Sequence, residues 1–169
     1  LFNAMSPLTH REPGMVGAAL SRPAVHAGII ADGIHVDPAA MGIAIRAKEG
    51  PGRLFLVTDA MSTIGSDQTD FTLNGRTVYR SDGRRTLEDG TLAGADIDMI
   101  ASIRVLVDKV GLELEEALRM ASLYPARALG VEDRHGRIAA GCAANLVHIS
   151  NDLDVRRVWI GSQSVYEAA

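Results

Sequence analysis

Cysteine is nearly absent. Cys142 is the only one in 169 residues, which excludes an internal disulfide framework and fits a reducing compartment such as the cytoplasm. An excess of basic charge is also lacking: the formal net charge is −4, so nothing suggests nucleic acid as a partner. No apolar run reaches membrane-spanning length, and no charged-then-apolar leader opens the chain. Leu1 stands first and enters mid-pattern with "LFNAM", which reads as a chain cut from something longer. Internal repeats and low-complexity segments are missing. The five histidines include no His-x-His or HExxH pair, so no complete metal site is visible. Ser62 has no Gly-x-Ser-x-Gly surround, and "GTLAG" lacks the lysine and glycine spacing of a phosphate loop. What remains is 47% hydrophobic and 22% charged, a globular balance long enough for one domain or part of a larger one.

The pattern that is present is mixed. "AVHAGII" (24–30) and "RLFLVTD" (53–59) read as short buried strands. Between them Asp37 offers a helix N-cap with Pro38 at the first helical position, and Gly50-Pro51 closes the helix. Strand, helix and strand at this spacing predict a βαβ unit with parallel strands. Asn74-Gly75 lies between two β-rich runs and predicts a hairpin. Asp82-Gly83 and Asp89-Gly90 add turns, so 70–92 reads as a small antiparallel insertion. From Asp96 a helical period returns, with Met99, Ile103, Leu106 and Val110 on one face and Gly111 as the stop. "LELEEALRMA" predicts a second helix, and "YPARALG" a short third with Pro125 at its start. "GRIAAGCAANLVHIS", "DVRRVWI" and "QSVYEA" predict three strands of a β-rich subdomain beginning near Asp133.

Chemistry is sought where such a fold keeps it. In parallel α/β sheets ligands gather outside the carboxyl ends of the strands. Asp59 ends the second strand there, as a proton acceptor, a metal ligand, or simply a turn-forming aspartate. His35 follows the first strand, with Asp32-Gly33 making the turn that sets it at the same end. The polar loop "NAMSPLTHREPG" holds Asn3, His10 and Arg11, and Arg11 suits a phosphate or carboxylate, or equally a solvated helix entry. "GTLAG" can bring backbone close to a ligand.

Taken in order and spacing, "LFNAMSPLTHREPG", "GIIADGIHV", "LVTDAM", "DGTLAG", "LRMASLYPARALG" and "GRIAAGCAANLV" resemble the carboxyl-terminal half of the N-acetylglucosamine-6-phosphate deacetylase family, within the amidohydrolase superfamily. The resemblance covers essentially the whole chain. It implies an α/β fold: residues 1–132 as the carboxyl-terminal half of a (β/α)8 metal-dependent hydrolase barrel, and 133–169 as strands of a small β-sandwich. It implies a cytoplasmic homodimer that removes acetate from N-acetylglucosamine 6-phosphate. On matching positions Asp59 resembles the aspartate that takes a proton from the attacking water and returns it to the leaving amine. Asn3, Ala4 and Arg11 match phosphosugar contacts, Arg11 one that reaches the neighbouring subunit's site. Asp32, Gly33, Ile34 and His35 match further substrate-contacting positions, as do Leu92, Ala93 and Gly94, with His35 the histidine that orients the substrate. The implied cofactor is a divalent metal, zinc or iron, with its main ligands upstream of Leu1 and Asp59 as a further one. The closing motif departs from the family's Gly-Lys-x-Ala-Asp, reading Gly141-Cys142-Ala143-Ala144-Asn145. Two other readings stand beside this one: a related amidohydrolase acting on another N-acetyl hexosamine phosphate, and a non-catalytic phosphosugar-binding fragment.

Overall fold

Two parallel strands, β1 (Ala27–Ile30) and β2 (Leu54–Val57), pair from Ala27 opposite Leu54 to Ile30 opposite Val57. The structure is a computed structural model and describes residues 1–81 and 83–168. Parallel strands cannot be joined by a tight turn, and the crossover here carries α2 (Pro38–Ala47). Its start is the one the sequence marks: Asp37 Oδ1 accepts from the Ala39 amide at 2.8 Å, and Pro38 opens the first turn. Leu54 and Leu56 bury one face of β2, and α3, α4 and α5 pack on that strand.

The helix α1 (Gly14–Ser21) follows directly on the Arg11-Glu12-Pro13 stretch, where a helix entry was one of the two readings, although it lacks a side-chain cap. Pro13 stands at its N-cap with no side-chain bond, and no acidic residue occupies the first turn. Val16, Ala19 and Leu20 bury it all the same, which fits the rule that packing outweighs propensity in short helices.

After β2 the chain enters an antiparallel sheet of β3 (Asp70–Leu73), β4 (Arg76–Ser81), β5 (Arg84–Leu87) and β6 (Leu92–Ala95), in that spatial order. Asn74 and Gly75 form the first hairpin turn with φ of 49° and 77°, the left-handed pair such turns require. Asp82, half of the second expected turn, lies outside the described residues. The sheet runs beyond the expected limit of 92, because "LAGA" is a strand.

α3 (Met99–Val105) continues as a π-helical turn, Leu106–Val110, and stops at Gly111 with φ 75°. Its N-cap is Asp98, whose Oδ1 accepts from Ala101 N at 2.8 Å, so Asp96 is left for other work. α4 (Leu114–Ala121) and α5 (Leu123–Ala128) follow, with Pro125 inside α5 rather than at its start. The tail sheet is β7 (Leu146–Ile149), β8 (Val155–Ile160) and β9 (Gln163–Glu167), antiparallel in that order. Of the first tail candidate only "LVHI" is a strand; the glycine-rich "GRIAAGCAA" before it forms none.

Ile29, Met41, Leu106 and Met120 are at most 2% exposed and form the centre of one core with Val16, Leu54, Leu56 and Ala117. Side chains buried to this degree contribute about 1.5–3 kcal/mol each. Leu153, in the β7–β8 turn, joins the same core, and Arg104 of α3 donates to its carbonyl at 2.8 Å.

Candidate active site at the strand ends

The register of β1 and β2 decides what meets. Because Ile30 lies opposite Val57, the segments carrying Asp32–His35 and Asp59 leave the sheet side by side at its carboxyl end. On the other side of β1, the amino group of Leu1 donates to the Gly28 carbonyl. The chain then turns through Phe2 and Asn3, both at positive φ, and leaves Asn3 and Ala4 exposed.

Asp59 has φ 54°, a left-handed conformation that Asp and Asn tolerate better than other side chains. Its carbonyl accepts from Ala95 N at 2.9 Å, and Met61 N reaches Ala95 O at 3.4 Å. The carboxylate itself is exposed and has no hydrogen bond or ion pair among the described residues. The arrangement leaves a fixed backbone and a free acceptor.

His35 is fixed differently. Asp32 Oδ1 accepts from the Ile34 and His35 amides at 2.9 and 2.8 Å, and Asp32 Oδ2 meets His35 Nδ1 at 2.6 Å. The side chains are only 4% and 9% exposed. Burial works to raise the Asp32 carboxyl, but the bonds from the His35 ring and from the two amides outweigh it and hold it below its ordinary 3.8. Gly33, with φ 74°, makes the turn.

The strand β6 closes a third side. A Cβ on Gly94 would lie 2.4 Å from Met61 Sδ and 3.1 Å from the Asp59 carbonyl, so glycine is what lets β6 approach. Leu92 is exposed and Ala93 half-buried at its start. A Cβ on Gly83, ahead of β5, would lie 3.7 Å from Ile34 Cδ1, so Gly83 lies near the Asp32–His35 loop.

Arg11 stays apart. It is exposed on a loop closed by Thr9 and Glu12, where Thr9 N donates to Glu12 O at 2.9 Å, and no bond joins it to Asp59 or His35 among the described residues.

Sequence reasoning missed a buried ionic knot behind the site. Asp96, 4% exposed, takes Arg80 Nε at 2.5 Å and Arg85 at 3.0 Å, and Arg85 is fully buried. A cavity of about 710 Å³ lies between the helices and the tail sheet, lined by Ile100, Ile103, Leu118, Ile138, Val147 and Val158 among others. It includes none of the candidate residues and is mainly apolar.

No group of three or more His, Cys, Asp or Glu side chains able to hold a metal ion occurs among the described residues. These residues therefore do not make a metal centre by themselves. No helix among them is long and apolar enough to cross a membrane.

Comparison with known proteins decides the family. Residues 12–165 match the amidohydrolase family. This chain belongs to that family. The amidohydrolase chain is 42% identical over 168 residues to N-acetylgalactosamine-6-phosphate deacetylase of Shewanella sp. (strain ANA-3), covering 99% of itself and 42% of that protein. It is 41% identical over 163 residues to a putative N-acetylgalactosamine-6-phosphate deacetylase of Escherichia coli (strain K12), covering 96% of both. The crystal structure of N-acetylglucosamine-6-phosphate deacetylase from Pasteurella multocida superposes with a TM-score of 0.91 at 41% identity, over 97% of this chain and 43% of that one. The amidohydrolase chain thus spans about two fifths of the length of most such relatives, and its α/β architecture is that part of their fold. Members of the family generally depend on a metal ion.

Proposed function

We propose that this chain is the carboxyl-terminal half of a metal-dependent deacetylase acting on an N-acetyl hexosamine 6-phosphate, with N-acetylglucosamine 6-phosphate as the first substrate to try. The observation that carries the reading is Asp59: an unpartnered carboxylate on a fixed left-handed backbone at a strand's carboxyl end, beside a histidine held by a buried aspartate. A carboxylate so placed accepts a proton from an attacking water and returns it to the departing nitrogen, giving acetate and the free amine. His35 presents its remaining ring nitrogen to the substrate, and Gly94 with Ala93 and Leu92 lines the approach beside Asp59. Asn3, Ala4 and Arg11 serve the phosphate, Arg11 in a neighbouring subunit of a homodimer. The ion, zinc or iron, supplies positive charge that polarises the acetyl carbonyl when bound. Its main ligands belong to the half of the protein that precedes Leu1, and residues 133–169 belong to a small β-sandwich beside the barrel.

The relatives' names favour a second substrate as well, since two of them are described as acting on the galactose epimer. The test is acetate release by the full-length protein from each epimer's 6-phosphate, with and without a chelator. Chelator-sensitive release from either supports the reading, and the faster one names the substrate. Release from neither in metal-loaded protein would overturn it.

A further inference from the structure

Asp32 matches a substrate-contacting position, yet its oxygens are already engaged. Oδ1 takes two backbone amides and Oδ2 takes the His35 ring, with the side chain 4% exposed. An ionised carboxylate only accepts hydrogen bonds, so the shared hydrogen at 2.6 Å sits on His35 Nδ1.

We infer that Asp32 is a positioning residue: it fixes the proton on His35 Nδ1 and the plane of the ring, so that Nε2 alone is offered to the site. The lowered carboxyl of Asp32 fits this, because the ionised form is the one that accepts all three bonds. Gly33 at φ 74° makes the tight turn that brings the His35 ring back onto Asp32. The role of His35 in turnover rests on the proposed deacetylase; its protonation pattern does not.

Asp32→Asn separates the two. An asparagine of the same shape keeps one oxygen for the Ile34 and His35 amides and turns its NH2 toward the ring. Nδ1 must then accept, and the proton moves to Nε2, the tautomer error known from the analogous change in a serine-protease triad. The experiment is ¹H–¹⁵N correlation of the ring nitrogens in full-length protein labelled with ¹⁵N-histidine, at mildly alkaline pH. The His35 signals are assigned by their loss in His35→Gln. The expected result is a protonated Nδ1 in the wild type and an unprotonated Nδ1 in Asp32→Asn. If the parent protein deacetylates, kcat of Asp32→Asn falls about 10–100-fold with KM little changed. An unprotonated Nδ1 in the wild type, or the same pattern in both proteins, would overturn the inference and leave the assignment of Asp59 standing. Absence of deacetylation with the expected Nδ1 pattern would do the reverse.

Discussion

Asp59 occupies a backbone conformation that few side chains accept, and that sets how it can be replaced. Asparagine tolerates φ 54° as aspartate does, so Asp59→Asn leaves urea-denaturation stability within about 0.5 kcal/mol of the parent. Asp59→Val, with a β-branched side chain forced left-handed, costs about 1–2 kcal/mol. Asp32 carries a pH prediction. Its carboxyl titrates lower in the folded chain than its ordinary 3.8, so the unfolded chain binds more protons in that region. The stability it contributes is therefore present above that ordinary value and is lost as pH falls through the folded one. The difference in urea midpoint between the parent and Asp32→Asn is expected to be largest near neutral pH and to shrink below about pH 4.

Elements meet behind the site through two close contacts, and each has its own consequence. Gly94→Ala drives a methyl into Met61 and against the Asp59 carbonyl, at 2.4 and 3.1 Å. The expected cost is about 1–3 kcal/mol, partly recovered by adding Met61→Ala, since the thioether is the softer obstacle. Arg85→Met leaves the buried Asp96 with Arg80 alone. Loss of one partner of a buried pair costs about 3–5 kcal/mol. The lower end is expected here, because Arg85 Nε has no partner and its burial penalty leaves with it. Chemical denaturation of the single and double variants measures both. At this scale the sequence was legible wherever a side chain announces a local bond. Asp37 with Pro38 starts α2, Asn74-Gly75 turns the hairpin, and Gly111 stops the π-helical turn. It was silent where tertiary packing decides. α1 has no side-chain cap, β6 carries Gly94 for its close approach to Met61, and Asp96 looks like a helix start but is a buried counter-ion.

The whole molecule explains why the site was half legible. Parallel strands deliver Asp59 and the His35 loop to one end, and the βαβ pattern alone predicts that meeting. That Asp32 holds the histidine was hidden, because Asp-Gly after a strand reads only as a turn. Arg11 stands on an exposed loop and has no partner among the described residues. The described residues alone do not assemble a metal's donors, so these 169 residues alone are expected to release no acetate above background under any metal supplement. The central claim rests on one carboxylate and is best tested there. The measurement is acetate release and phosphosugar binding by the full-length protein and its Asp59→Asn variant, metal-loaded and at saturating N-acetyl hexosamine 6-phosphate. The account predicts that turnover disappears while binding is retained. Turnover near that of the parent would contradict it.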